Sequence, residues 1–192
     1  MPQILPASTR ASSRIMMFVD GENLAIRYKA ELGDGQPGHH VIPVPDVLVW
    51  SRFASRTNDT PVWVRRYYYT SARGDAEARE GYEEQLRAAG IEAPRVFPRR
   101  TGGRSKRVDV TLATEMLTHA HRGNFDIAVL VAGDEDYVPL VEAVKSEGRR
   151  VAVWFVGSGL SPALRRSADH FWDMRELFFA NPDRPEFQSI YG

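Results

Sequence analysis

Short apolar runs of strand length alternate along this sequence with segments whose apolar residues recur at helical spacing. In the clearest example, "FDIAVLVAG" (125–133) is followed by "YVPLVEAVKSEG" (137–148) and then by "RRVAVWFVG" (149–157). A strand, a helix and a second strand in this order form a right-handed crossover between parallel strands. The alternation predicts an α/β fold: a three-layer sandwich with a mostly parallel central sheet and helices on both faces.

The rest of the chain continues this alternation, with two exceptions. We predict further strands at 15–19, 61–70 and 91–98, and helices from about Glu22 to Leu32 and at 75–90 and 109–123. Pro94 weakens the strand at 91–98 or places it at an edge of the sheet, since proline cannot donate a backbone hydrogen bond. The exceptions are 33–45, which reads as a loop from its Gly and Pro content, and 46–56, whose apolar spacing predicts a helix.

Length and composition limit the kinds of protein that this chain can be. We expect a leader at 1–13, a domain at 14–177 and a tail at 178–192. The absence of cysteine excludes disulfides, thiolate metal sites and cysteine nucleophiles. No apolar run approaches the ~20 residues that span a bilayer, and residues 1–14 lack the apolar core of a secretory signal. We therefore expect a cytoplasmic protein that does not associate with membranes.

Acidic residues follow the predicted strands at the points where ligands bind in open parallel sheets. Asp20 comes directly after the first strand, and "GDED" (133–136) follows the strongest one. Asp109 begins a helix after a basic loop and is expected to open onto the same edge. Converging carboxylates repel one another unless a hard divalent cation binds them, which predicts Mg²⁺ or Mn²⁺ and activation of water for phosphodiester chemistry. Each acid alone also suits a turn or a helix cap.

Basic residues near this edge could attract phosphate groups. The residues concerned are Arg99, Arg100, Arg104, Lys106 and Arg107 in the loop, with Arg65 and Arg73 beside a run of three tyrosines. The net charge of zero argues against indiscriminate binding of nucleic acid. Because successive strand residues face opposite sides, we favour a core role for Tyr67, Tyr68 and Tyr69 over base stacking.

Three ordered motifs resemble the NYN domain of the LabA-like group, which is related to the PIN-domain nucleases. They are "FVDGEN" (18–23), "KRVDVTLATEML" (106–117) and "VLVAGDEDYVPLV" (129–141), and "LRRSADHFWDM" (164–174) is similar to the closing segment of that group. The resemblance implies a PIN-like fold, a Mg²⁺ or Mn²⁺ site and ribonuclease activity. We expect this activity to be endonucleolytic, so that internal bonds of RNA are cut.

The resemblance also implies roles for individual residues. By it, Asp20, Asp109 and Asp134 hold the cation, Asp136 positions the cation or the attacking water, and Asn23 orients a phosphate or a carboxylate. The chain departs from the group at Glu115, where aspartate is frequent, and also at Arg107 and Glu135.

Two alternatives to a ribonuclease stay open at this stage. The first is a non-catalytic RNA-binding or regulatory module on the same fold. The second is a phosphatase of the haloacid dehalogenase type, which is the weakest because Glu22 stands where that chemistry needs an aspartate. A homodimer formed through the aromatic tail is also open, since related nucleases often dimerise.

Overall fold

A computed structural model of the chain describes residues 13–55, 62–99 and 106–179. These described residues form eight strands: β1 (Arg14–Asp20), β2 (Val41–Val44), β3 (Leu48–Ser51), β4 (Val62–Ala72), β5 (Ala93–Pro98), β6 (Ile127–Val131), β7 (Arg150–Phe155) and β8 (His170–Asp173). The helices are α1 (Gly21–Leu32), α2 (Ala76–Ala88), α3 (Lys106–His121), α4 (Val138–Ser146), α5 (Pro162–Ser167) and α6 (Arg175–Phe179).

Six of the strands form one parallel sheet in the order β5-β4-β1-β6-β7-β8. The α/β architecture predicted from the alternation is thus confirmed. The first strand of the chain lies in the interior, so the order reverses there: β4 and β5 extend to one side and β6 to β8 to the other. A reversal of this kind opens a crevice at the carboxyl ends of the central strands.

The sheet separates two hydrophobic clusters, one on each face. Met17 and Val19 of β1 point into the cluster that α1, α6 and the β2–β3 hairpin cover. Met16 and Phe18 point into the cluster beneath α3 and α4. All four side chains are at most 2% exposed. Burial of both faces explains why β1 and β6 are almost continuously apolar in sequence.

The prediction of a helix at 46–56 is wrong. Leu48–Ser51 is a fully buried strand that pairs antiparallel with β2, and only Arg52–Ser55 forms a short 3₁₀ turn. The buried hydroxyl of Tyr68 accepts a hydrogen bond from the backbone N–H of Val49 and donates one to its carbonyl. This long-range contact favours a strand. The spacing of apolar residues in so short a run is compatible with either a helix or a strand.

The elements at the sheet edges follow the sequence less closely. β5 is an edge strand, as Pro94 predicts. The strand β2 was expected to be loop, and β8, the other edge strand, was not predicted from the sequence. Both are only four residues long, so their periodicity is weak.

The predicted boundary between domain and tail divides helix α6. Phe178 is 1% exposed and packs in the core, so the packed domain runs at least to Phe179. The leader at 1–13 and the rest of the tail lie almost wholly outside the described residues. Among the helices that the structure describes, none is both long and apolar enough to cross a membrane.

Two buried tyrosines provide a test of this packing. Tyr68→Phe should lower the free energy of unfolding by about 1–3 kcal/mol, because it leaves the buried N–H and carbonyl of Val49 without their partner. Tyr28→Phe is the control: within the described chain the Tyr28 hydroxyl is buried without a hydrogen-bond partner, so its removal should be neutral or stabilising. Urea unfolding measures both; equal losses in the two variants would contradict the assignment.

Candidate functional site

The carboxyl ends of β1 and β6 lie side by side at the crevice. Val19 of β1 is level with Val131 of β6, so the residues that follow them leave the sheet at the same edge. Asp20 is 2% exposed and caps helix α1, its Oδ1 accepting the backbone N–H of Asn23 at 3.0 Å. Its second oxygen, Oδ2, lies within hydrogen-bond distance of the hydroxyl of Tyr137.

A hydrogen bond between the two strand ends fixes their relative position. The backbone N–H of Gly133, just after β6, donates to Oδ1 of Asn23 at 2.9 Å. Gly133 has no room for a side chain, since a Cβ there would overlap the ring of Phe155 and the carbonyl oxygen of Gly159. The amide oxygen of Asn23 thus binds backbone, and its role of orienting a phosphate or carboxylate stays a prediction.

Tyr137 brings two acids together. Its hydroxyl lies 3.0 Å from Oδ2 of Asp20 and 3.2 Å from Oδ1 of Asp109, and it donates its hydrogen to this pair. Burial, and then the charges of Asp20 and Asp109, raise the pKa of Tyr137, so the group stays a protonated donor. The sequence reasoning missed Tyr137; the available clue was an aromatic residue directly after "GDED".

The two acids of the third motif lie at the start of α4. One carboxylate oxygen of Asp134 accepts the backbone N–H of Asp136 at 3.2 Å and caps a 3₁₀ turn at Glu135–Tyr137. Asp136 is exposed. Asp109, Asp134 and Asp136 all line one open groove of about 620 Å³, and Tyr137 lines it too. The structure thus brings Asp20, Asp109, Asp134 and Asp136 to one edge of the sheet.

The arrangement of these acids suits a magnesium-type ion better than a calcium-type cage. Within the described residues, no group of three or more His, Asp or Glu side chains is close enough to hold a metal ion by itself. Mg²⁺ is commonly bound through one or two carboxylates, with water and substrate phosphate completing its octahedral shell. Asp20 and Asp109, which meet at the Tyr137 hydroxyl, fit that pattern, and their oxygen donors fit Mg²⁺ and Mn²⁺ equally.

Glu115 has other partners. It accepts a hydrogen bond from the hydroxyl of Tyr69 at 2.7 Å and lies 3.5 Å from the guanidinium of Arg95. Burial, and then this hydrogen bond, raise the pKa of Tyr69. Glu115 therefore attaches α3 to β4 and does not meet the Tyr137 hydroxyl.

Three tyrosine hydroxyls join α3 to neighbouring elements along its length. Tyr137 reaches Asp109 in the first turn, Tyr69 reaches Glu115, and Tyr67 lies 3.0 Å from the ring nitrogen of His119 near the end. Tyr67, Tyr68 and Tyr69 are each at most 4% exposed. The core role predicted for the tyrosine run is confirmed.

The basic residues predicted to contact RNA are dispersed. Arg73 follows β4 at the crevice edge and is exposed, and Arg107 lies over the ring of Phe97 in the first turn of α3. Arg65 is level with Met16 near the start of β1, at the opposite end of the strand from Asp20. Arg65 is thus separated from the acidic edge.

Arg99 is held inside a polar cluster. Its guanidinium donates to Ser71 at 2.8 Å and pairs with the buried Glu22 at 3.4 Å, while Ser71 also donates to Glu22. This pairing takes up much of the charge that Arg99 could offer to phosphate. Arg100 and Arg104 fall outside the described residues, as does the side chain of Lys106.

Comparisons with known proteins identify a family. The NYN domain model matches residues 14–175, and NYN domains belong to the PIN-like nuclease superfamily. A crystal structure of a protein of unknown function from Vibrio parahaemolyticus is similar, with a TM-score of 0.67, 22% sequence identity, and coverage of 90% of this chain and 99% of that one. At that identity the likeness concerns the fold. No curated protein matches the chain.

The Tyr137 hydroxyl is testable without any ligand. Tyr137→Phe should lower the free energy of unfolding by about 1.5–3 kcal/mol, since it removes a hydrogen bond to charged acceptors and leaves two carboxylates facing each other. Thermal unfolding in EDTA measures the loss. Tyr28→Phe again serves as the control for deletion of a buried hydroxyl, and a Tyr137→Phe variant as stable as this control would contradict the interpretation.

Proposed function

The chain belongs to the NYN domain family of the PIN-like nuclease superfamily, and on this premise we propose that it is a metal-dependent endoribonuclease that hydrolyses phosphodiester bonds in RNA. The observation that carries the proposal is the meeting of Asp20 and Asp109 at the Tyr137 hydroxyl. It supports an acidic centre in the crevice where α/β folds bind their ligands. Membership of the LabA-like group stays a prediction.

The carboxylates have distinct roles in the proposed reaction. Asp20 and Asp109 would hold Mg²⁺ or Mn²⁺ directly, and Asp134, which lines the same groove, would contact the cation through one of its bound waters. When bound, such a cation stabilises negative charge that develops on the phosphodiester. Asp136 is exposed at the groove and can accept a proton from the attacking water. The reaction needs no covalent intermediate with the protein.

Other residues position this centre. Asn23 keeps the end of β6 next to Asp20 through its hydrogen bond with Gly133. Arg73 and Arg107, both exposed near the crevice, would contact the RNA backbone, together with Arg100, Arg104 and Lys106. Because the net charge of the chain is zero, this attraction is local and should weaken with salt.

The structure also argues against a phosphatase of the haloacid dehalogenase type. That chemistry requires a second acid two positions after Asp20, where Glu22 stands. Glu22 is 4% exposed and is engaged by Ser71 and Arg99. Glu22 therefore makes structural contacts and does not face a substrate.

Cleavage of end-labelled single-stranded RNA tests the activity directly. We expect cleavage by the wild type with Mn²⁺ or Mg²⁺ and none in EDTA. Asp20→Asn and Asp109→Asn should each lower the rate at least about 100-fold, since a lost metal ligand removes several kcal/mol of charge stabilisation.

The control for this experiment is Asp75→Asn. Asp75 caps α2 by accepting the N–H of Ala78 at 2.9 Å, much as Asp20 caps α1, and asparagine is an equally good cap. It should cleave like the wild type. RNA that is bound but left whole by the wild type would instead support the non-catalytic RNA-binding module.

Binding of the cation itself can be measured without RNA. Mn²⁺ at about 100 times its Kd should stabilise the wild type by about 2.7 kcal/mol, which raises the Tm of a domain of this size by roughly 5–10 °C. The Asp20→Asn, Asp109→Asn double variant should show no such rise, whereas Asp75→Asn should. An equal rise in the double variant would place the cation elsewhere.

A further inference from the structure

The groove at the acidic centre extends well beyond the carboxylates. Helices α3 and α4 form its two walls, and Asp109, Asp134 and Asp136 lie at one end. The rest of the lining is mostly apolar and comes from Val110, Ala113, Leu117, Pro139, Leu140 and Ala143. A charged end and an apolar length thus belong to one continuous cavity.

Two apolar side chains in this groove are unusually exposed. Val110 is 64% exposed and Leu117 37% exposed, and they are seven positions apart on α3, so they lie on the same face of the helix. A concave surface with exposed apolar side chains and a few polar groups at one end is typical of a binding site. Its volume of about 620 Å³ falls in the usual range of such sites.

Resting on the ribonuclease function proposed above, we propose that this groove binds the unpaired bases of single-stranded RNA next to the phosphodiester that is cleaved. A nucleotide resembles the groove in having a charged part at one end and an apolar surface beside it. Its phosphate belongs at the carboxylates, where a bound cation would offset the charge, and the flat face of its base belongs along Val110 and Leu117.

The carboxylates favour RNA over a protein as the occupant. A protein surface seated in the groove would cover Asp109, Asp134 and Asp136, and buried charges are costly unless each is paired. In the proposed complex the divalent cation would supply the opposite charge, and the RNA phosphate would bind to that cation. The same feature disfavours a second copy of this chain, whose matching groove would bring its own carboxylates.

The lining also determines which RNA fits. Bases in a duplex are stacked and paired, so an aliphatic groove can receive only those of unpaired segments. Among the described residues that line the groove, Thr114 is the only one outside the acidic end with a polar side chain. Recognition should therefore depend on apolar contact and discriminate weakly between bases.

The decisive experiment removes the apolar contact without changing charge. In Val110→Ala, Leu117→Ala both side chains are shortened, and alanine favours the helix, so folding should be retained; single Val110→Ala is the reserve variant. Ile26→Ala is the matched control, since Ile26 is a 53% exposed apolar residue on α1 outside the groove.

Two substrates of equal length and charge are compared: oligouridylate, and an oligomer of 1′-deoxyribose phosphate that lacks bases but keeps the 2′-hydroxyls. We expect the double variant to raise the KM for oligouridylate about tenfold with little change in kcat. It should leave the KM for the base-free oligomer unchanged, because loss of the base and loss of its contacts are not additive. Ile26→Ala should match the wild type on both.

Failure of this inference can be told apart from failure of the ribonuclease proposal. Cleavage of oligouridylate with an unchanged KM in the double variant, or an equal effect on both substrates, would overturn the groove assignment and leave the nuclease in place. If the wild type cleaves neither substrate, fluorescence anisotropy of labelled oligouridylate decides: weaker binding by the double variant alone supports the groove as a base-binding site, and equal binding or no binding by any form refutes it.

Discussion

The hydrogen bond from the Gly133 N–H to the Asn23 amide oxygen is the contact on which the acidic edge depends. It joins the start of α1 to the end of β6, the two points where the central strands leave the sheet. Gly133 must be glycine, because Phe155 and Gly159 occupy the space of a side chain. With the strand ends held in this way, Asp20 and the acidic turn after β6 face the same crevice, so backbone geometry places both at its edge.

The carboxylates are brought together by tyrosines as much as by sheet topology. The Tyr137 hydroxyl bridges Asp20 and Asp109, and the Tyr69 hydroxyl engages Glu115 in the same helix. Burial keeps both phenols protonated, since it raises the pKa of each. A buried donor can stabilise paired carboxylates in the absence of a cation. A pair held in this way is preorganised for an ion, because little rearrangement of the protein is then required on binding.

The net charge of the chain is zero, but basic, acidic and apolar side chains occupy different places around the sheet. Buried Glu22 takes up Arg99, so part of the basic segment anchors structure. In the proposed reaction, the exposed cations near the crevice would contact the RNA backbone, and the carboxylates would act at the phosphodiester that is cut. The apolar groove between α3 and α4 adds a third kind of contact, and a strand of unpaired RNA offers all three at once.

The sequence by itself determined the layered parallel fold. Strands that are buried on both faces, such as β1 and β6, are almost continuously apolar, and this pattern is visible within a short stretch of sequence. It also indicated Asp20, Asp109, Asp134 and Asp136 as neighbours at strand and helix ends. It failed for β2, β3 and β8, which are short and depend on long-range partners such as the hydroxyl of Tyr68. Only the tertiary structure decided that Tyr137 bridges two of the acids, that Glu115 turns to Tyr69 and that Arg65 lies far from Asp20. The physical reason is that side-chain hydrogen bonds join residues remote in sequence, and no local pattern encodes them.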